Sequence, residues 1–407
     1  MSFLLAAGFL LFSGIASVTY QVTWIRLLAL SMGNSSASVS TVLAAFFLGM
    51  ALGSYWAEKI TRNQINNLKP YIALEAVIGC SGLALLPTLL NLDSFVAQVP
   101  VFGTWLSLKF TLAMALLIVP TICMGATFPV MAALLVRQSA QMGGNISLLY
   151  GLNTLGAVLG AALSGFLFIP NWGLDGAIYI AAAINFAIAG AAIYLNGRLQ
   201  LAPLEASVET KDTTRSDTNT AHWRALAVLF TTGFAAIATQ VGWTKYLSIF
   251  TGTTIYGFAA ILTVFLLGIA LGSLWIKRYI DNIHSPELWL ASGLLALGCC
   301  LILTRVGLTW LPGVYTAVNH LVAPPSIVHG VKYTLVFLLL IIPTLIFGAL
   351  FPINLKVYCG NLQGVRQRIG KAYAVNTLAS IVGALAAGFW LIPSFGTNAV
   401  LTGCAEY

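Results

Sequence analysis

Residues 20–33 read YQVTWIRLLALSMG, and residues 239–252 read TQVGWTKYLSIFTG. Both place a glutamine and one cation in an otherwise apolar run, 219 positions apart. The match spreads outward at the same offset: Gly14, Gln21, Trp24, Gly33, Gly49, Gly53, Ser54 and Trp56 recur as Gly233, Gln240, Trp243, Gly252, Gly268, Gly272, Ser273 and Trp275. Further on the offset becomes 223, where Lys109, Pro120, Thr121, Gly125, Pro129, Asn153, Thr154, Pro170 and Gly173 meet Lys332, Pro343, Thr344, Gly348, Pro352, Asn376, Thr377, Pro393 and Gly396. Glycines, prolines and polar residues kept in register over such a length mark an internal duplication.

Composition says what is duplicated. Of 407 residues, 59% are hydrophobic and only 7% charged, and the mean hydropathy is +0.92, far from the balance of a soluble domain. Apolar runs long enough to cross a hydrocarbon core, about 20 helical residues each, fall at 3–30, 39–56, 71–90, 106–136, 146–169, 176–195, 225–250, 257–276, 288–308, 332–357 and 372–392. Their length and even apolarity exclude the alternating wall of a barrel and leave helices. The expected fold is an all-α membrane protein of two parallel six-helix repeats, 1–196 and 225–407, joined by a polar linker at 197–224 that carries the run ETKDTTRSDTNT. After Gly396 only TNAVLTGCAEY follows, so about 11 complete spans and a truncated twelfth are expected. Six spans return the chain to its starting side, so the copies share one orientation, which is the plan of major-facilitator transporters.

Of the 19 Lys and Arg, all but Arg26, Lys109, Lys245, Arg305 and Lys332 fall on one side of this scheme. The positive-inside rule makes that side, and with it the N-terminus, cytoplasmic. The first span lacks a basic n-region and has a mid-chain counterpart, so it is not a signal peptide. The six cysteines have neither metal nor redox spacing. No basic recognition helix or stacking platform for nucleic acid is present.

The strings YQVTWIRLLALSMGNSSASVSTVLAAFFLGMALGS, PTICMGATFPV and YGLNTLGAVLGAALSGFLFIPNWG resemble the membrane region of bacterial fused major-facilitator/spermidine-synthase-like proteins. The resemblance runs through nearly the whole chain. It implies a bacterial inner membrane and, in other members, a following soluble domain similar to polyamine aminopropyltransferases. No Gly-rich loop after a strand occurs in this sequence, so the resemblance implies no enzyme activity and no cofactor here.

Several polar residues lie at membrane depth. Arg26 with Lys245, and Lys109 with Lys332, form two repeat-related pairs that suit either interfacial anchoring or a basic vestibule for an anion or lipid headgroup. Gln21, Gln240, Asn153 and Asn376 suit either a solute-lined cavity or helix-to-helix hydrogen bonds. Glu75, an acid inside the third span without an acidic counterpart, suits a proton or cation site, or pairing with a base such as Arg62 or Lys69. Pro120 and Pro129, and again Pro343 and Pro352, sit inside one long span of each copy and are expected to kink it. Gly49-x-x-x-Gly53 and Gly268-x-x-x-Gly272 read as close-packing surfaces. His222, His284, His320 and His329 are placed in loops or at a span edge, the last two in an outer loop at 309–331, and no metal or catalytic motif is found. The expected function is binding or translocation of a small solute between the halves, with the bilayer as a partner. Its rivals are an inactive fragment, or a non-transporting anchor for a separate aminopropyltransferase-like enzyme.

Overall fold

A computed structural model describes residues 2–33, 35–61, 67–97, 105–135, 142–196, 219–251, 255–280, 283–321, 325–359 and 365–406. The linker expected at 197–224 lies outside these residues up to 218. The chain divides into two compact units, Met1–Thr210 and Lys211–Tyr407.

The first unit holds α1 (Ser2–Met32), α2 (Ser35–Thr61), α3 (Lys69–Leu90), the short α4 (Leu92–Ala97), α5 (Trp105–Leu135), α6 (Met142–Leu163) and α7 (Ile169–Asn196). The second holds α8 (Asn219–Thr251), α9 (Ile255–Ile280), α10 (Pro286–Leu321), α11 (Pro325–Cys359), α12 (Val365–Leu385) and α13 (Ile392–Glu406). Ten apolar stretches among the described residues can cross a membrane, and one of them, Gly151–Asn196, is 46 residues long. At 1.5 Å per residue that is roughly twice the thickness of a bilayer core. It is two crossings, α6 and α7.

The units repeat their packing as well as their sequence. α2 lies on α5 as α9 lies on α11; α1 on α6 as α8 on α12; α3 on α7 as α10 on α13. The GxxxG surfaces explain the first pair. A Cβ at Gly53 would stand 2.8 Å from the main-chain N of Ala126, and one at Gly272 would stand 2.8 Å from the carbonyl carbon of Leu345. Backbones this close exclude any side chain, and in lipid such contact is a main source of helix association. Around these seams Leu10, Tyr71, Val130 and Leu149 bury together in the first unit, and Leu229, Tyr358 and Ala372 in the second. Large side chains such as Ile193, Ile249, Leu295, Leu303 and Trp310 are more than 60% exposed. That suits surfaces whose solvent is hydrocarbon.

The irregular backbone of the described residues lies outside the two proline pairs named from the sequence. α5 and α11 run without interruption through Pro120, Pro129, Pro343 and Pro352. Irregularity falls instead after α6 and α12, where Ser164–Phe168 and Ala386–Leu391 form π-turns. In them the N–H of Ile169 reaches back to the Ser164 carbonyl and that of Ile392 to Ala387. Pro170 and Pro393, which have no N–H to give, follow directly, and the wider turn accommodates the missing bond. Next come Gly173 and Gly396, with φ of 72° and 78°, a conformation that costs any residue with a Cβ. The span boundary at 308 and the loop at 309–331 also need correction. α10 continues to Leu321 and α11 starts at Pro325, because Pro312 and Gly313 are absorbed into a helix that outruns the hydrocarbon core.

Candidate functional site

Glu75 lies on the face of α3 that packs against α1 and α7, and is fully buried. Its Oε2 accepts a hydrogen bond from Asn185 Nδ2 of α7 at 2.6 Å. Ser13 of α1 and Tyr71, one turn earlier on α3, stand beside the same carboxyl group. Asn185 and Tyr71 are wholly buried and Ser13 is 1% exposed. Yet Asn185 Oδ1 lacks a hydrogen-bond partner among the described residues, and the Tyr71 hydroxyl and Glu75 Oε1 adjoin one another without close hydrogen-bond geometry. Lys69, considered as a counter-charge, is exposed and forms no ion pair with Glu75 among those residues; Arg62 lies outside them. Two turns along the same stripe of α3, Tyr20 rests on Gly82, where a Cβ would come within 2.6 Å of Tyr20 Cζ. Its ring stacks on Trp24 at 5.2 Å.

The repeated cations are not held alike. Lys109 Nζ, at the start of α5, contacts Asp93 Oδ1 at 2.6 Å and donates to the Ser31 carbonyl at 2.5 Å. Ser31 Oγ donates to the same Asp93 oxygen at 2.7 Å. This triangle ties the ends of α1, α4 and α5 together. Hydrogen bonding by Lys109, and then by Ser31, holds the Asp93 carboxyl below the usual carboxylate range. Lys332 instead sits over the Tyr315 ring, 4.2 Å from its centre. Arg26 and Lys245 are half-buried.

Gln21 and Gln240 are buried in α1 and α8, at 9% and 3% exposure. Asn153 and Asn376 are half-buried and lie at close points of the α1–α6 and α8–α12 seams. A Cβ at Gly14 would come 2.6 Å from the Asn153 carbonyl oxygen, and one at Gly233 would come 2.6 Å from Asn376 Oδ1. The structure thus places the two asparagines in helix contacts. Of the repeated prolines, Pro120 and Pro343 are buried, and Pro129 and Pro352 half-buried. His284 is exposed at the start of α10, while the side chains of His222, His320 and His329 lie outside the described ones.

No family model matches this sequence, and no curated protein does. Solved structures do. The nucleoside transporter NupG, as its D323A mutant, superposes with a TM-score of 0.65 at 11% identity, covering 99% of this chain and 96% of NupG. A POT family transporter in complex with 5-aminolevulinic acid gives 0.64 at 14% identity, over 100% of this chain and 93% of that one. A bacterial homologue of the iron transporter ferroportin, in an inward-facing state, gives 0.63 at 12%, over 99% and 96%. The chain shares the all-helical fold of these solved structures. Identities this low carry the architecture and nothing about cargo.

Within that architecture, Asn185, Tyr71 and Ser13 were not singled out from sequence. Asn185 had a signal, as a lone amide in the apolar run AAAINFAIAG. Ser13 and Tyr71 had none, since a serine or tyrosine near a span end is ordinary. Asp93 was missed because α4 is too short to leave a periodic pattern.

Proposed function

We propose that this chain is a transporter of a small solute in the bacterial inner membrane, with its N-terminus in the cytoplasm. The observation that carries the proposal is the near full-length match to transporters whose named cargoes share no chemistry. What they have in common is the two-unit helical frame. In this reading each unit has, on its first helix, polar groups available to the solute: Gln21 and Arg26 on α1, Gln240 and Lys245 on α8. Two cations and two amides favour an anionic or zwitterionic solute over a polyamine, despite the sequence resemblance to the membrane part of spermidine-synthase-like fusions. An anchor for a separate aminopropyltransferase-like enzyme is the alternative that this resemblance supports.

The test is a thermal-stability screen of the detergent-purified protein against anionic, zwitterionic and polycationic metabolites, followed by uptake into proteoliposomes. We expect stabilisation by an anion or zwitterion. That stabilisation should weaken and lose salt sensitivity in the Arg26→Gln/Lys245→Gln double variant. Stabilisation by polyamines alone, unchanged in the double variant, would overturn the solute class. Failure of every class to be taken up, with a soluble synthase-like protein co-purifying, would favour the anchor.

A further inference from the structure

We propose that Glu75, Asn185, Tyr71 and Ser13 form a binding site inside the first unit for a single positive charge, a proton or an alkali cation, and that the second unit does not duplicate it. An ionised carboxylate cannot be buried this deeply without a proton or a cation to neutralise it, because its desolvation otherwise costs far more than a domain's stability. No lysine or arginine among the described residues reaches Glu75. The carboxyl group is instead surrounded by neutral oxygen-bearing groups, an amide, a phenol and a hydroxyl, brought by three helices. Asn185 Oδ1 has no protein partner there among the described residues, and the Tyr71 hydroxyl stands beside the carboxyl group. Hard oxygen donors beside one negative charge are the chemistry that takes a proton or a small monovalent ion.

The asymmetry follows from register. At the 219 offset buried positions of α3 and α10 coincide: Ile78 with Leu297, Leu85 with Thr304, Leu89 with Leu308. In that register Tyr71 meets Leu290 and Glu75 meets Leu294. The copy that lost or never gained the carboxyl group fills the place with leucine.

The other titratable groups on helices packed against α3 are few. α1 brings Tyr20, near Gly82, and Arg26, which is thirteen residues beyond Ser13 and so about 20 Å along the helix. α3 itself has Tyr71 and the exposed Cys80. α5 has the half-buried Cys123 and Lys109, and Lys109 is engaged with Asp93 of α4. On α7, Asp175, Tyr179 and Tyr194 are exposed, as is Lys69 at the start of α3.

The use of this site in coupling rests on the transport reading; its existence does not. The test therefore needs no solute. Thermal unfolding of the purified full chain is followed in two arms: sodium exchanged for choline at fixed pH, and pH varied in choline alone. Infrared difference spectra record the carboxyl C=O band in both arms. We expect a response in one arm, which identifies the ion. A carboxyl band should change with it, and both signals should be lost in Glu75→Gln. Tyr71→Phe, which keeps the ring, should move the midpoint about tenfold, the worth of one hydrogen bond to a charged group. If Glu75→Gln fails to fold, the infrared band of the unaltered protein and the Tyr71→Phe shift still decide. A flat response in both arms, or one unchanged in Tyr71→Phe or Glu75→Gln, would overturn the site and leave the transport reading standing.

Discussion

Lys109 and Lys332 occupy equivalent places in the two copies, yet one is held by a carboxylate and the other by an aromatic ring. Duplication reproduces a residue without reproducing its surroundings, so repetition alone could not say whether these lysines are ligands or anchors. The Asp93 side chain is 61% exposed, so its pair with Lys109 is largely screened and contributes less than about 1 kcal/mol. The direction with pH is nonetheless defined. A carboxyl group whose folded value is lowered adds stability above its unfolded value and loses it as pH falls through the lowered one. We expect Asp93→Asn to melt slightly below the unaltered protein at neutral pH. The difference should vanish in acid, as thermal unfolding across pH would record. Gln21, Gln240 and Glu75 were legible as residues to watch, because amides and acids are rare in apolar spans. Ser13 and Asn185 were not, since they lie on α1 and α7, far from Glu75 in the chain.

At the scale of helices, glycine has two separate uses here, and substitution distinguishes them. Gly53 and Gly272 allow backbones to touch, so a large side chain forces α2 from α5 or α9 from α11. Gly53→Leu and Gly272→Leu should each cost about 3 kcal/mol or more. Gly173 and Gly396 have open space around them but a positive φ. Alanine there should cost roughly 1–2 kcal/mol through backbone strain alone. Gly190, with nothing within 4 Å and no positive φ, should accept alanine without loss. Melting temperatures of the five variants, measured in one detergent, check this ordering. The GxxxG seams were readable because their spacing matches a helix face. The π-turns were not, although Pro170, Gly173, Pro393 and Gly396 all stood in the repeat. A proline inside an apolar run looks the same in sequence whether the helix bends at it or opens a wider turn before it.

For the whole molecule, the parallel repeat makes a prediction about sidedness. With the N-terminus in the cytoplasm as proposed, single cysteines in a background stripped of the native six should divide into two groups. Gly33→Cys and Ile249→Cys, at or beside the ends of α1 and α8, should react with an impermeant thiol reagent on intact cells. Lys69→Cys and His284→Cys, where α3 and α10 begin, should react only after permeabilisation. Labelling of Gly33→Cys and Ile249→Cys from opposite sides would contradict the parallel repeat.

By itself the sequence determined the helical class, the six-span repeat and the helix faces that touch most closely. Those properties follow from local rules: span length against bilayer thickness, and glycine spacing against the helical period. Only the tertiary structure decided which polar residues meet. Glu75 and Asn185 are 110 positions apart, and no periodicity connects them. Their encounter depends on the rotation of α3 and α7 about their axes, which is set by packing along both helices together rather than by any stretch of either one.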